Sequence, residues 1–163
     1  MTALVGASLD RAYSASDLSG AEGYSAPGIG DVFQDDDGKV YRFVKYTGGA
    51  GNVVAAVGNV TYLYAPAGVS AGATNTVTSD LSDSAEIGAG VLMAAPGEGG
   101  FCWVQVRGAA TLAKALTAGA DGDPLTPTGA TDGTLDVTDA ATSAVCAYAV
   151  DASAKIIMCA FPY

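Results

Sequence analysis

The chain contains no histidine, which removes the commonest general base and the commonest transition-metal ligand. It carries no Gly-x-Ser-x-Gly, Walker-type or dinucleotide-binding loop. Its single tryptophan leaves no aromatic cluster beside a carboxylate pair with which to line a sugar cleft. Catalysis is therefore not expected, and no residue is assigned to a catalytic, cofactor or metal site. Basic residues are scarce: 7 against 17 acidic ones give a formal charge of −10, a field that repels nucleic acid at long range. No run approaches the roughly 18 apolar residues of a membrane span. Residues 1–12 lack a basic start, and Gly6, Ser8 and Asp10 interrupt their apolar run, so no signal peptide is expected. The expectation is a product made in the cytoplasm, where thiols stay reduced.

Charge of either sign is also in short supply. Charged residues make up 15% of the chain, against about 25% in an ordinary soluble protein, while 50% is hydrophobic. A surface of that composition tends to be shared with other subunits. Cys102, Cys146 and Cys159 are an odd set without Cys-x-x-Cys spacing, each in a β-like run. They read as small buried hydrophobes rather than redox or metal residues.

What is present organises itself around a hairpin. Residues 88–95 and 101–113 are two runs of small, β-branched and aromatic residues, and the glycine-rich stretch Pro96-Gly97-Glu98-Gly99-Gly100 between them supplies the positive φ angles of a reversal. With a side-chain period of two, Cys102, Val104 and Val106 form one face and Phe101, Trp103, Gln105 and Arg107 the other. The first is the core face. The second passes from aromatics to an amide and a guanidinium and is a candidate contact surface. Trp103 has two readings there: a binding hot spot beside Arg107, or a cap on the core of its own subunit.

Residues 1–29 show no sustained period and read as an N-terminal arm, either a disordered terminus or a segment that orders across a partner through anchors such as Tyr13 and Tyr24. Residues 30–163 form the β domain. A second hairpin turns at Asp35-Asp36-Asp37-Gly38, followed by the strand-like Lys39-Val40-Tyr41-Arg42-Phe43-Val44-Lys45-Tyr46. Its carboxylates miss EF-hand register, which would put Phe33 and Val44 in ligand positions, so the turn reads as a solvated tip. Short strands are expected at 52–57, 59–64, 134–137, 143–150 and 154–161, with 109–115 continuing the central strand. Pro124 and Pro127 should confine Leu125-Thr126 to an edge, and Asp83 is expected to cap a helical turn over 80–86. The near-continuous hydrophobicity of the last two strands places them in the core or under another subunit, which adds Phe161 and Tyr163 to the candidate interface. Strands every eight to twelve residues indicate an all-β sandwich or barrel in one domain.

The run Gly90-Val91-Leu92-Met93-Ala94-Ala95, a Gly-Glu turn, Trp103-Val104-Gln105-Val106-Arg107-Gly108, then Gly122-Asp123-Pro124-Leu125, Asp132-Gly133 and an apolar final strand pair resembles the β-rich head decoration (cement) proteins of tailed bacteriophages. The likeness spans residues 30–163. It implies a non-enzymatic virion protein on the capsid exterior, partnered with the major capsid protein, commonly a homotrimer bridging capsomeres, without cofactor. The alternatives are a phage tail, fibre or baseplate component, and a β-barrel module that binds a small ligand.

Overall fold

A computed structural model describes residues 8–19, 26–65, 75–138 and 143–162. Among these residues ten strands share one sheet: β1 (Val32–Gln34), β2 (Val40–Thr47), β3 (Val60–Tyr64), β4 (Thr76–Thr78), β5 (Ser84–Leu92), β6 (Phe101–Thr111), β7 (Pro124–Thr126), β8 (Asp136–Val137), β9 (Ala147–Asp151) and β10 (Ile156–Ala160). The neighbours run β1-β2-β4-β3-β5-β6-β10-β9-β7-β8, and an added β2–β6 pairing closes β2, β4, β3, β5 and β6 into a five-stranded barrel. The all-β expectation holds, and of its two forms the barrel is the one adopted.

β6 makes this closure possible because it is long enough to serve two partners on one edge. Phe101 to Arg107 pair with β2, and Arg107 to Thr111 pair with β10. The strand changes partner at Gly108, whose φ of +91° is open to glycine at little cost. Beyond it, β10, β9, β7 and β8 form a flap whose inner side chains, Ile157, Cys159, Ala147, Ala149 and Leu125, are buried. The flap lies close against β5. At Gly88, Phe161 ring atoms stand 2.7 Å and Cys146 Sγ 2.9 Å from where a Cβ would project, so any larger residue there would push the flap away. Tyr62 of β3 ties the same layers together through its hydroxyl, which donates to the Thr134 carbonyl and accepts from the Thr134 N–H.

Both predicted hairpins form. The central one pairs Val91 with Gln105 and Leu92 with Val104, and the first pairs Phe33 with Tyr41. Asp35 organises the first tip: its Oδ1 accepts from the Asp37 and Lys39 N–H groups at 3.1 and 2.8 Å, and its Oδ2 from the Tyr41 hydroxyl at 3.0 Å.

Several local expectations are corrected. Residues 52–57 are a loop, not a strand: Asn52 takes φ +50° and the Val53 N–H turns back to the Gly48 carbonyl. The loop is pinned by the Tyr46 hydroxyl, which donates to the Val53 carbonyl at 2.7 Å. The helical turn is a 3-10 turn (Leu81–Asp83) capped by Asp80, not Asp83, because β5 begins at Ser84 and claims the residues after it. β6 ends at Thr111, short of 115, where its partner β10 runs out. Leu125-Thr126 is not an edge: β9 covers one side of β7 and β8 the other.

Ordered structure also begins well before residue 31. A helical turn, α1 (Ala15–Leu18), is held by a capping box between Ser14 and Asp17. Ahead of it, Tyr13 forms a β-bridge with Phe101. The two groups exchange backbone hydrogen bonds of 2.8 Å each. Tyr13 is buried in a second core cluster with Tyr41, Phe43, Phe101 and Trp103. The described part of the predicted arm thus lies on its own domain.

Candidate interaction surface

The seven candidate interface residues do not come together. Trp103 is fully buried, its ring meeting Phe43 at 5.3 Å and Phe33 at 6.3 Å between centroids. Between its two sequence readings the structure selects the core. The outward assignment of that face fails because residues 8–19 and β1 cover it, so both faces of β6 are buried over its first half. Gln105 is buried as well: its Nε2 donates to the carbonyls of Arg107 and Ala109 at 3.1 and 2.9 Å. The amide therefore serves two acceptors at the bend where β6 changes partner, and it is not available to another molecule. Phe161 is core, its N–H donating to the Val106 carbonyl at 3.0 Å. Tyr13 is core too. Tyr24 and Tyr163 lie outside the described residues. Among the described candidates Arg107 alone is exposed.

A different surface emerges around Arg107. On the outer side of β10 and β9, Met158 stands opposite Tyr148. Across β6, Met158 faces Ala109 and Ala160 faces Arg107. Tyr148 in turn faces Pro124 of β7. Tyr148, Val150 and Met158 are 48, 47 and 44% exposed, large apolar groups held at the surface of the sheet, and Val145, 40% exposed, lies just ahead of β9. The outward positions of β6, β10 and β9 are Arg107, Ala109, Thr111, Ile156, Met158, Ala160, Tyr148 and Val150, with Asp151 opposite Ile156 at the end of β9, and the charged residues among them are Arg107 and Asp151. On a chain of net charge −10 the acidic residue among these positions is Asp151, whose Oδ1 accepts from the Ser153 hydroxyl and the Ala154 N–H at 2.8 Å each.

β9 points its larger side chains outward and its smaller ones inward, while β10 buries Ile157 and leaves Met158 outside. In β9 two alanines pack on the barrel while Tyr148 and Val150 face out. A solvent-facing strand ordinarily alternates apolar-in with polar-out. The inversion leaves the area that water is least able to hydrate on the exposed side. Three strands of five residues span about 14 by 17 Å. That is the centre of an interface rather than its whole, since a stable one covers about 800 Å² per partner.

The thiols are not part of this surface. Cys102, Cys146 and Cys159 are free and buried, and burial pushes each of them up to about 12. They are inert packing groups at neutral pH.

Sequence reading missed Tyr148 and Met158 as surface residues. The signal was present in the unbroken apolarity of 145–150 and 156–161, which is compatible with burial under a second subunit. Period-two alternation does not separate the two faces when both are apolar. Compared with known protein families, curated proteins and solved structures, the chain matches none.

Proposed function

We propose that the chain is a structural protein of a phage virion, one that decorates the capsid exterior, contacts the major capsid protein and binds copies of itself, with a trimer favoured. The observation that carries this reading is the outer face of β6, β10 and β9. It is an apolar, nearly uncharged sheet surface on an acidic protein, and a surface of that kind is normally covered by a partner. The rest of the molecule suits such a role. A closed barrel removes most free strand edges and resists edge-to-edge aggregation, and its interior is filled by side chains such as Tyr46, Tyr62, Leu92 and Val104. That filling weighs against the small-ligand module. The sequence likeness to head decoration proteins supplies the particular assembly.

The test is quantitative composition of purified particles from the phage that encodes the chain. A decoration protein should be present in numbers comparable to the major shell protein and should leave the particle surface on mild destabilisation. A stoichiometry of only a few copies, confined to tails, would favour the tail or baseplate reading. Absence from the particle would remove both.

A further inference from the structure

The segment that completes the aromatic cluster around Phe43 and Trp103 is built as a module separate from the body it covers. Asp17 is the hub: its carboxylate accepts from the Ser14 N–H at 2.6 Å and the Ser14 hydroxyl at 2.7 Å, and it pairs with Arg11 at 2.8 Å. Ser19 closes onto the Ser16 carbonyl at 2.8 Å, and the Arg11 guanidinium lies 4.9 Å from the centre of the Tyr13 ring. These contacts all run within residues 8–19. Attachment to the body comes chiefly from Tyr13, whose backbone pairs with Phe101 and whose ring meets Phe43 edge-on at 5.3 Å. Leu9 and Leu18 add partial cover. Between this strap and the hairpin tip at Gly97–Gly100 an open cleft of about 400 Å³ remains.

The seat exists because of the neighbouring strand. The β5–β6 ladder ends where the Met93 N–H donates to the Trp103 carbonyl at 3.0 Å. Pro96, which has no N–H, follows in the turn. The β5 side of β6 is therefore vacant at Phe101, and Tyr13 fills the vacancy as a one-residue strand. This is strand addition to a sheet edge, the geometry by which extended peptides dock on proteins, with the backbone giving affinity and a side-chain pocket giving selectivity.

We propose that the Phe101 edge with its Phe43–Trp103 cup is an exchangeable docking slot, and that its second occupant is the residue 8–19 strap of another copy of this chain. A neighbour's strap would make the same contacts as the chain's own, since the module carries its internal bonds with it. The balance between own and exchanged strap then depends on local concentration and on reach. From Ser19 to Ala26 the seven peptide steps extend to at most about 25 Å. Exchange thus requires a neighbouring seat within that distance. The proposal stands on the strap's geometry alone and does not depend on the virion reading or on the β9–β10 face.

The sole tryptophan lies in the seat, so its fluorescence reports occupancy. The full chain, unfolded and refolded at several hundred micromolar, is expected to yield an additional, larger species that persists on dilution, whereas dilute refolding leaves each strap on its own chain and that species absent. A synthetic peptide of residues 8–19 added during concentrated refolding should suppress that species by occupying the slot, shift the Trp103 emission relative to strap-free controls and co-elute with the protein. The same peptide with Tyr13→Ala should be at least roughly tenfold less effective, because the ring and its aromatic contacts are lost. The competition uses the unaltered protein, so it remains informative if a Tyr13→Ala chain folds poorly. A refolded species untouched by excess wild-type peptide, or peptides equally effective with and without Tyr13, would overturn the proposal. So would the same set of species at every refolding concentration.

Discussion

Tyr148 on β9 and Met158 on β10 are cross-strand partners on the sheet face turned to solvent, and each is nearly half exposed. Their neighbours in sequence, Ala147, Ala149, Ile157 and Cys159, are buried in the core. β9 thus sets its small side chains against the barrel and its large ones outside, and β10 adds Met158 to the outer face. This arrangement gives little to the stability of an isolated chain and much to an interface.

Trp103 gives the first prediction. Trp103→Ala should cost about 3 to 5 kcal/mol of folding stability, the range for deleting a large buried aromatic. Trp103→Phe should cost distinctly less. The indole N–H is buried with no hydrogen-bond partner among the described residues, so phenylalanine removes an unsatisfied donor along with some volume. Denaturant midpoints of the two variants check this. Equal losses would mean that the N–H is satisfied in solution.

The N-terminal segment gives the second. Removing residues 1–19 should lower the unfolding midpoint clearly, because Tyr13 is only 5% exposed. Tyr13→Ala should cost about 2 to 4 kcal/mol, from apolar burial and the edge-on contact with Phe43. Calorimetry on both is sufficient. An unchanged midpoint would restore the reading of a free arm.

Alkaline pH gives the third. In the folded chain burial raises the three thiols from 9.0 to about 12, and it raises Tyr41 from 10.0 to about 12, helped by its hydrogen bond to Asp35. The folded state therefore keeps protons that the unfolded state gives up. This contribution to stability is complete below pH 9 and lost progressively as pH rises toward 12. The slope is roughly 1.4 kcal/mol per pH unit for each thiol. Melting temperature against pH should fall steeply above about pH 9, and replacing all three cysteines by alanine should flatten the fall. At neutral pH the native thiols should react slowly with a labelling reagent and quickly once unfolded. Rapid native labelling would contradict their burial.

The all-β class, both hairpins and the inward set Cys102, Val104 and Val106 were legible because period-two alternation and glycine turns are local signals. Barrel closure was not, since it depends on β6 bending at Gly108 to serve β2 and β10 along one edge. The burial of Trp103 was hidden for a related reason. Its ring contacts are Phe33 and Phe43, in a cluster that Tyr13 joins from about ninety residues earlier in the chain, and no local pattern connects them. Gln105 looked like a surface amide because nothing in the sequence shows that two carbonyls at the bend need its N–H groups. Arg107 was placed correctly at the surface, while its neighbours there, Tyr148 and Met158, come from strands whose two faces are equally apolar in sequence.

The proposed covering of the outer face of β6, β10 and β9 by a partner is open to test by sedimentation of the isolated chain at micromolar concentration. The wild type should sediment as an oligomer, a trimer being favoured. Met158→Glu, which puts a charge beside Tyr148 without touching the core, should give the 16.0 kDa single chain with an unchanged melting temperature. A wild type that sediments only as the single chain, or a Met158→Glu variant that assembles as the wild type does, would contradict the account.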